Sequence, residues 1–447
     1  MTKLTRRALL STALALPAAR PALGSDRLAI ARPDWDYNLF LTYGQSLSVG
    51  HEGVPPLSVM APEGSLMLGE RVMSTGNSPQ LISGDHPAWS PTGEPRFNPL
   101  VATGSVESVM NGALATLRAL AARSHGLTQA RRFLAGGAGV GGVGIAALSK
   151  GARPEYFHRV PTLVAQMQAE ARRARGSFGV AGILWLQGES DMTMDRDRHL
   201  ALLRRLRADL VAEAVPKDQP PPGFFTYQTI ANAQNDRHGL GVQMAQLQMA
   251  LSDPGAFMAG PTYPVPDSNN LHLTANGYRW LGSQFGKVMH RVLYLGQDWK
   301  PLHATRAHRQ GRRILVDFHV PAPPLAWGLP YISDRVGGPN RVLDHPDKGF
   351  TVLAGPQRLA IAAAALSGPA QVALTLAADP PPGPLLLRYA DGLHAGTGNL
   401  RDSDATLAAD RYRMGVKGQT QGEVLPDLDT RPYPLWNWCV TFELPVA

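Results

Sequence analysis

Between Asp36 and Trp299 the chain alternates short apolar runs with longer amphipathic stretches, and no other feature restricts its fold so strongly. The apolar runs are Tyr37 to Tyr43, Arg132 to Ala135, Gly179 to Leu186, Gly223 to Ile230 and Ala256 to Gly260. The stretches between them place apolar residues at helical spacing over Glu107 to Ser124, Pro161 to Arg175, Asp195 to Ala214, Leu240 to Ser252 and Leu273 to Leu295. Strands that each lead into a helix predict a parallel sheet covered on both faces. The expectation is an α/β domain over residues 25–299, with a five-stranded parallel sheet as the middle of three layers. In such a sheet, ligands bind at the carboxyl ends of the strands.

The texture changes after Lys300. Strand-like segments at Arg313 to Val320, Gly349 to Leu353, Arg358 to Ala362, Gln371 to Leu376 and Leu385 to Tyr389 are separated by turns such as Pro380-Pro381-Pro382-Gly383. No long amphipathic helix follows. Residues 300–447 therefore read as a C-terminal β-sandwich. A chain of 447 residues is long for a single domain, which agrees with this division.

The N-terminus runs from basic to apolar to small. Arg6-Arg7 stands directly before the apolar stretch Ala8 to Leu16, and Ala22-Leu23-Gly24 suits cleavage before Ser25. Residues 1–24 thus read as a twin-arginine export signal, and the expected location is periplasmic or secreted. No stretch is long and apolar enough for stable membrane insertion once the signal is removed. The formal charge of +8 is partly the signal's, because without Lys3, Arg6, Arg7 and Arg20 the chain has 39 basic against 35 acidic residues. That residue of charge, spread over helix faces, argues against nucleic-acid binding. One cysteine excludes an intrachain disulfide framework and a zinc site built on several thiolates.

Three polar motifs follow strands. Gly44-Gln45-Ser46-Leu47 comes after the first and could expose a serine hydroxyl beside a helix N-terminus. Trp185-Leu186-Gln187-Gly188-Glu189-Ser190-Asp191 ends the third. Asp267-Ser268-Asn269-Asn270-Leu271-His272 follows the fifth and could supply a base with an orienting carboxylate. Taken singly, each suits a turn or a helix cap. A fourth segment, Gly139-Val140-Gly141-Gly142-Val143-Gly144, fits a dinucleotide-binding pattern. It lacks the acidic residue that this pattern needs about 20 positions on.

Together, in this order, the motifs resemble the SGNH hydrolase superfamily, and within it the sialate O-acetylesterase-like carbohydrate esterases. Their serine block is G-Q-S-N, their third block W-x-Q-G-E-x-D, and their last an Asp-x-x-His before L-x-x-x-G. The glycine-rich segment, as Gly141-Gly142-Val143-Gly144-Ile145 followed by Leu148 and Gly151, is similar to their second block. The resemblance covers Asn38 to Gly286. It implies ester hydrolysis with Ser46 as nucleophile and His272 as base. It also implies an oxyanion hole from Ser46, Gly142 (with Gly141 next in line) and Gln187. Gln45, Glu189 and Asp191 are read as loop supports. The implied substrate is an acylated carbohydrate carrying an O-acetyl or related group, with no cofactor and no metal.

Two positions depart from the family pattern. Leu47 replaces the usual asparagine, and Asn269 stands where the orienting aspartate is expected. Asp267, two residues earlier, keeps a negative charge and is the expected acid, with Asn269, accepting through its amide oxygen, as the alternative. His51 and His125 match no motif position and read as ordinary loop and helix-end residues. Leu47 and Asn269 also leave room for a non-catalytic glycan-binding surface protein on the same scaffold, and an O-acyltransferase would use the same triad. Trp436, Trp438 and Tyr433 are candidate glycan contacts, with core packing the favoured alternative, and Cys439 among them reads as buried.

Overall fold

The computed structural model describes residues 28–73, 96–102, 106–230, 239–267, 271–331, 343–416 and 425–447. The expected export signal and Asn269 lie outside the described residues.

Seven strands form the first sheet. They are β1 (Tyr37–Gly44), β2 (Ser65–Leu68), β3 (Phe97–Pro99), β4 (Arg132–Gly137), β5 (Phe178–Leu186), β6 (Gly223–Gln228) and β7 (Ala256–Pro261). Their order is β3-β2-β4-β1-β5-β6-β7. Every pairing is parallel except β2 with β3. The five expected strands are therefore five of seven. The two that sequence reading missed are four and three residues long, too short to display an alternating pattern.

The helices are α1 (Ser46–Val49), α2 (Val109–His125), α3 (Ile145–Leu148), α4 (Pro154–Phe157), α5 (Arg159–Arg173), α6 (Arg196–Ala214), α7 (Gly241–Ser252) and α8 (Ala275–Met289). Successive strand residues point to opposite faces, so β1 and β5 feed two cores. Phe40, Leu184 and Leu186 pack with α2 and α8 residues such as Met110, Leu114 and Leu281. Leu39, Leu41, Ile183 and Trp185 pack with α5 and α6 residues such as Leu163, Met167 and Leu206. Both faces of the sheet are covered, which is why the strands read as unbroken apolar runs. Each such side chain, fully withdrawn from water, contributes about 1.5–3 kcal/mol.

The C-terminal half departs from two stacked sheets of similar size. Its strands are β8 (His303–Gln310), β9 (Arg313–His319), β10 (Ala326–Trp327), β11 (Phe350–Ala354), β12 (Gln357–Leu359), β13 (Ile361–Gly368), β14 (Gln371–Leu376), β15 (Leu385–Tyr389), β16 (Leu400–Arg401), β17 (Leu407–Arg411), β18 (Pro432–Pro434) and β19 (Phe442–Val446). Eight of them make one sheet in the order β12-β11-β15-β19-β8-β9-β14-β13, with β10–β16 and β17–β18 as separate pairs. The outermost strands β12 and β13 are separated in sequence by Ala360 alone. One residue spans only about 7 Å between its neighbours' Cα atoms, so the sheet must roll until its two margins meet. The rolled sheet encloses its own core, including Leu302, Val316, Val352, Leu374 and Phe442.

The two halves share a buried polar seam along α8. Lys287, 2% exposed, bonds Asp404 at 3.0 Å, Asn437 at 2.7 Å and the Leu435 carbonyl. Arg279 meets Asp410 at 2.5 Å. The Asn276 amide donates to the Arg413 carbonyl and accepts from the Arg413 N–H and the Tyr433 hydroxyl. Tyr433 and Cys439 are fully buried, Trp438 is 5% exposed, and Trp436 stacks on the Arg401 guanidinium at 3.6 Å. Tyr433 and Trp438 are therefore packing residues, while Trp436 is half-buried.

Candidate active site

The carboxyl ends of β1, β4, β5 and β7 open on one cleft of about 630 Å³. Ser46 enters it from a sharp turn after β1. Gly44 makes that turn with φ +142°, and a Cβ there would lie 2.0 Å from the Leu186 carbonyl oxygen. Only glycine can pass so close to β5. The Gln45 N–H then bonds the same carbonyl at 2.9 Å, and Ser46 opens α1. Leu47 is buried in the core behind it, so the missing family asparagine changes packing rather than the cleft wall.

His272 comes from the other side, three residues before α8. The Thr274 hydroxyl caps that helix by accepting the Gly277 N–H, and the Asp267 and Leu273 backbones bridge beneath the loop. This brings His272 Nε2 to 2.9 Å from Ser46 Oγ, although 226 residues separate them. Burial, and then His51, lowers the His272 pKa; Glu52 opposes both. The imidazole is thus neutral near pH 7, as a general base requires.

The carboxylate recorded on the far side of the ring is one that sequence reading missed. Glu52 Oε1 stands 3.5 Å from His272 Nδ1 and 3.8 Å from His51 Nε2. His51 lies edge-on to His272 with centroids 4.4 Å apart, so it is part of the site and not an ordinary loop residue. Asp267 is 5% exposed, and the charges acting most strongly on His272 are those of His51 and Glu52.

Glu52 holds φ +63°, a left-handed conformation that costs a residue with a side chain about 1–3 kcal/mol. Its surroundings impose it. The Tyr278 hydroxyl donates to the His51 carbonyl at 2.7 Å. Glu107, fully buried, accepts from the Leu57 N–H, the Ser58 N–H and the Ser58 hydroxyl at 2.7, 2.9 and 2.6 Å. Its own N–H bonds the Gly53 carbonyl at 2.7 Å. Burial pushes the Glu107 pKa up, against Arg279 and these bonds.

The remaining expected residues separate into two groups. Ser46, Gly141, Gly142, Gln45 and Glu189 line the cleft. Gly142 turns with φ +71°, nothing lies within 4 Å of where a Cβ would be, and its bare backbone faces open space. Among the described residues neither the Ser46 nor the Gly142 N–H has a backbone acceptor. Gln187, by contrast, is fully buried behind the wall. Its amide nitrogen is committed to Gln45 Oε1 at 3.2 Å and Asp191 Oδ2 at 2.6 Å.

Two bridges hold the cleft loops together. Gln45 Oε1 also accepts the Ser190 N–H at 3.1 Å, and Asp191 Oδ2 accepts the Ile145 N–H at 2.7 Å. Glu189 Oε1 accepts from the Tyr227 and Thr229 hydroxyls at 2.5 and 2.8 Å. Burial raises its pKa, against the bond from Tyr227.

Residues 37–291 match the model of a family described as carbohydrate esterase, sialic acid-specific acetylesterase. Among solved structures, a carbohydrate acetylesterase from Xanthomonas citri superposes with a TM-score of 0.55 at 15% identity, covering 91% of this chain and 80% of that one. A protein from Arabidopsis thaliana gives a TM-score of 0.38 at 18% identity, over 56% of this chain and 97% of that one. NanS gives 0.34 at 16%, over 50% and 77%. No curated protein matches the chain in sequence. No described helix is long and apolar enough to cross a membrane.

Proposed function

Because the chain belongs to the family of carbohydrate esterases described as sialic acid-specific acetylesterases, we propose that it is an exported serine esterase removing O-acetyl groups from an acylated carbohydrate. The observation that carries this reading is the 2.9 Å approach of Ser46 Oγ to a His272 imidazole kept neutral by burial. Ser46 Oγ attacks the ester carbonyl carbon while its proton passes to His272 Nε2. The carbonyl oxygen becomes an oxyanion, met by the N–H groups of Ser46 and Gly142; one such donor is worth about 3–4 kcal/mol in the transition state. The C–O bond to the sugar breaks, and His272 returns the proton to the departing alcohol oxygen. Water repeats the sequence on the acyl-serine and releases acetate.

His272 needs an acceptor at Nδ1 so that Nε2 presents its lone pair to the serine. Glu52 takes this role in place of the expected Asp267, supported by its 3.5 Å distance. Gln187 acts beneath the oxyanion hole, since its amide hydrogens already serve Gln45 and Asp191. Export rests on Arg6-Arg7 and the apolar stretch after them, and lysines at both positions should leave precursor in the cytoplasm if the twin-arginine route is used.

The test is acetate release from a panel of acetylated glycans by the wild type and Ser46→Ala. A folded Ser46→Ala protein should lose several orders of magnitude in turnover. Near-normal turnover would remove Ser46 from the mechanism. Product analysis with an added sugar acceptor separates hydrolysis from acyl transfer.

A further inference from the structure

His51, Glu52 and His272 have a second chemical capacity. Each offers one ligand atom, and the three atoms lie within 4.8 Å of one another. Two of the separations are 3.5 Å, from Glu52 Oε1 to His272 Nδ1, and 3.8 Å, from Glu52 Oε1 to His51 Nε2. A tetrahedral zinc ion with bonds of about 2.0–2.2 Å sets its ligand atoms roughly 3.3–3.6 Å apart. The two separations from Glu52 lie within about half an ångström of that spacing, and the third, between the two imidazole nitrogens, is no more than 4.8 Å. Two imidazoles and a carboxylate are also the donor set that such ions favour over Mg²⁺ or Ca²⁺, which prefer oxygen alone. The Glu52 backbone is already held in its unusual turn by Tyr278 and Glu107, so the site is largely built before an ion arrives.

We propose that His51, Glu52 and His272 form a binding site for Zn²⁺ and similar first-row divalent ions, and that occupancy switches the esterase off. The inhibitory half rests on the reading of His272 as base to Ser46; the binding half does not. A neutral imidazole has one nitrogen lone pair to give. When the ion takes the lone pair of Nδ1, the ring proton moves to Nε2. Nε2 then points an N–H at Ser46 Oγ and can no longer accept its proton. Inhibition thus needs no displacement of either residue. Solvent water completes the ion's coordination.

Binding and activity are measured separately, on the full-length protein. Calorimetric titration with Zn²⁺ should give about one ion per chain for the wild type and for Ser46→Ala, at similar affinity, because the serine is not a ligand. His51→Ala and the better size match His51→Gln should each weaken binding by more than about tenfold, the least expected when a direct ligand is lost. With acetate release as readout, Zn²⁺ should silence the wild type in step with occupancy, a chelator should restore it, and Mg²⁺ should have no effect. Each His51 variant, relative to its own metal-free rate, should stay active at Zn²⁺ concentrations that silence the wild type. Absence of Zn²⁺ binding by Ser46→Ala, or unweakened binding by both folded His51 variants, would overturn the site. Stoichiometric binding without inhibition would overturn the switch alone.

Discussion

Glu52 Oε1 faces His272 Nδ1 at 3.5 Å while Ser46 Oγ faces Nε2 of the same ring at 2.9 Å. Glu52 and Ser46 therefore leave one loop, six residues apart, and flank a histidine delivered by another. In the family pattern the acid and the histidine share a loop instead. Here the family's aspartate position is Asn269, and Glu52 brings a carboxylate to His272 from the same side of the cleft as Ser46.

Exchanging the two carboxylates for amides ranks them. Glu52→Gln should lower kcat by at least about a hundredfold, because the imidazolium formed in the transition state loses its countercharge. Asp267→Asn should cost much less. Turnover numbers on one acetyl ester at saturating substrate decide the matter, and the reverse ranking returns the role to Asp267.

The pH profile carries a sign for each neighbour. His272 must be neutral to act, so kcat/KM should rise with pH through its pKa. That pKa is lowered from 6.5 by burial and then by His51, with Glu52 opposing. The acid limb should therefore lie below pH 6.5 in the wild type. His51→Ala removes a lowering influence and should move the limb up. Glu52→Gln removes a raising influence and should move it further down. Shifts of the same sign in both variants would contradict this assignment.

Tyr278→Phe deletes the hydroxyl that holds the His51 carbonyl. The lost bond should cost about 1 kcal/mol of stability. The looser loop should lower kcat by about tenfold or more, with little change in KM, because Glu52 and His51 lose their aim while the cleft keeps its walls. Thermal unfolding and a kcat-against-KM comparison measure the two effects independently.

His394, in the rolled sheet, lies between Asp391, 2.8 Å from Nδ1, and Asp347, 3.0 Å from Nε2. Burial alone would push its pKa down; the bonds to Asp347 and then Asp391 outweigh this and raise it to about 9. A folded-state pKa above the ordinary 6.5 stabilises fully below about pH 6.5 and ceases to do so as pH rises through about 9. The whole contribution is about 3 kcal/mol. Thermal unfolding of the wild type should thus weaken between pH 7 and pH 10. His394→Asn should flatten that dependence, and an equal slope in the variant would show that other groups carry it.

What could be read from the sequence was whatever a local pattern encodes. The five long strands, the five long helices, Ser46 and His272 all sit in repeats or strand-end motifs. β2 and β3 were hidden because three or four residues show no period. Glu52 was hidden for a different reason. Its position depends on a left-handed turn fixed by Tyr278 and by Glu107, whose partners lie about 50 residues away in sequence. Gln187 matched its motif, yet the motif carries no record of which way the amide turns. The rolled sheet escaped because the join of its margins at Ala360 only has meaning once every intervening strand is paired.

The seam along α8 bears on how such a chain can change by descent. Lys287 has its acidic, amide and carbonyl partners in the C-terminal half, at Asp404, Asn437 and Leu435. Without that half, α8 would lose these partners and expose Trp280, which now stacks on Tyr433 at 5.1 Å, at a cost of about 1.5–3 kcal/mol for that side chain alone. That is a large share of what holds most domains together. The same helix begins three residues after His272, so damage to it would reach the imidazole that faces Ser46. The β-rich half is therefore not an interchangeable cassette that gene rearrangement could drop or swap. Lineages carrying this seam should inherit the two halves as one unit, with substitutions at Lys287 accompanied by changes at Asp404 or Asn437.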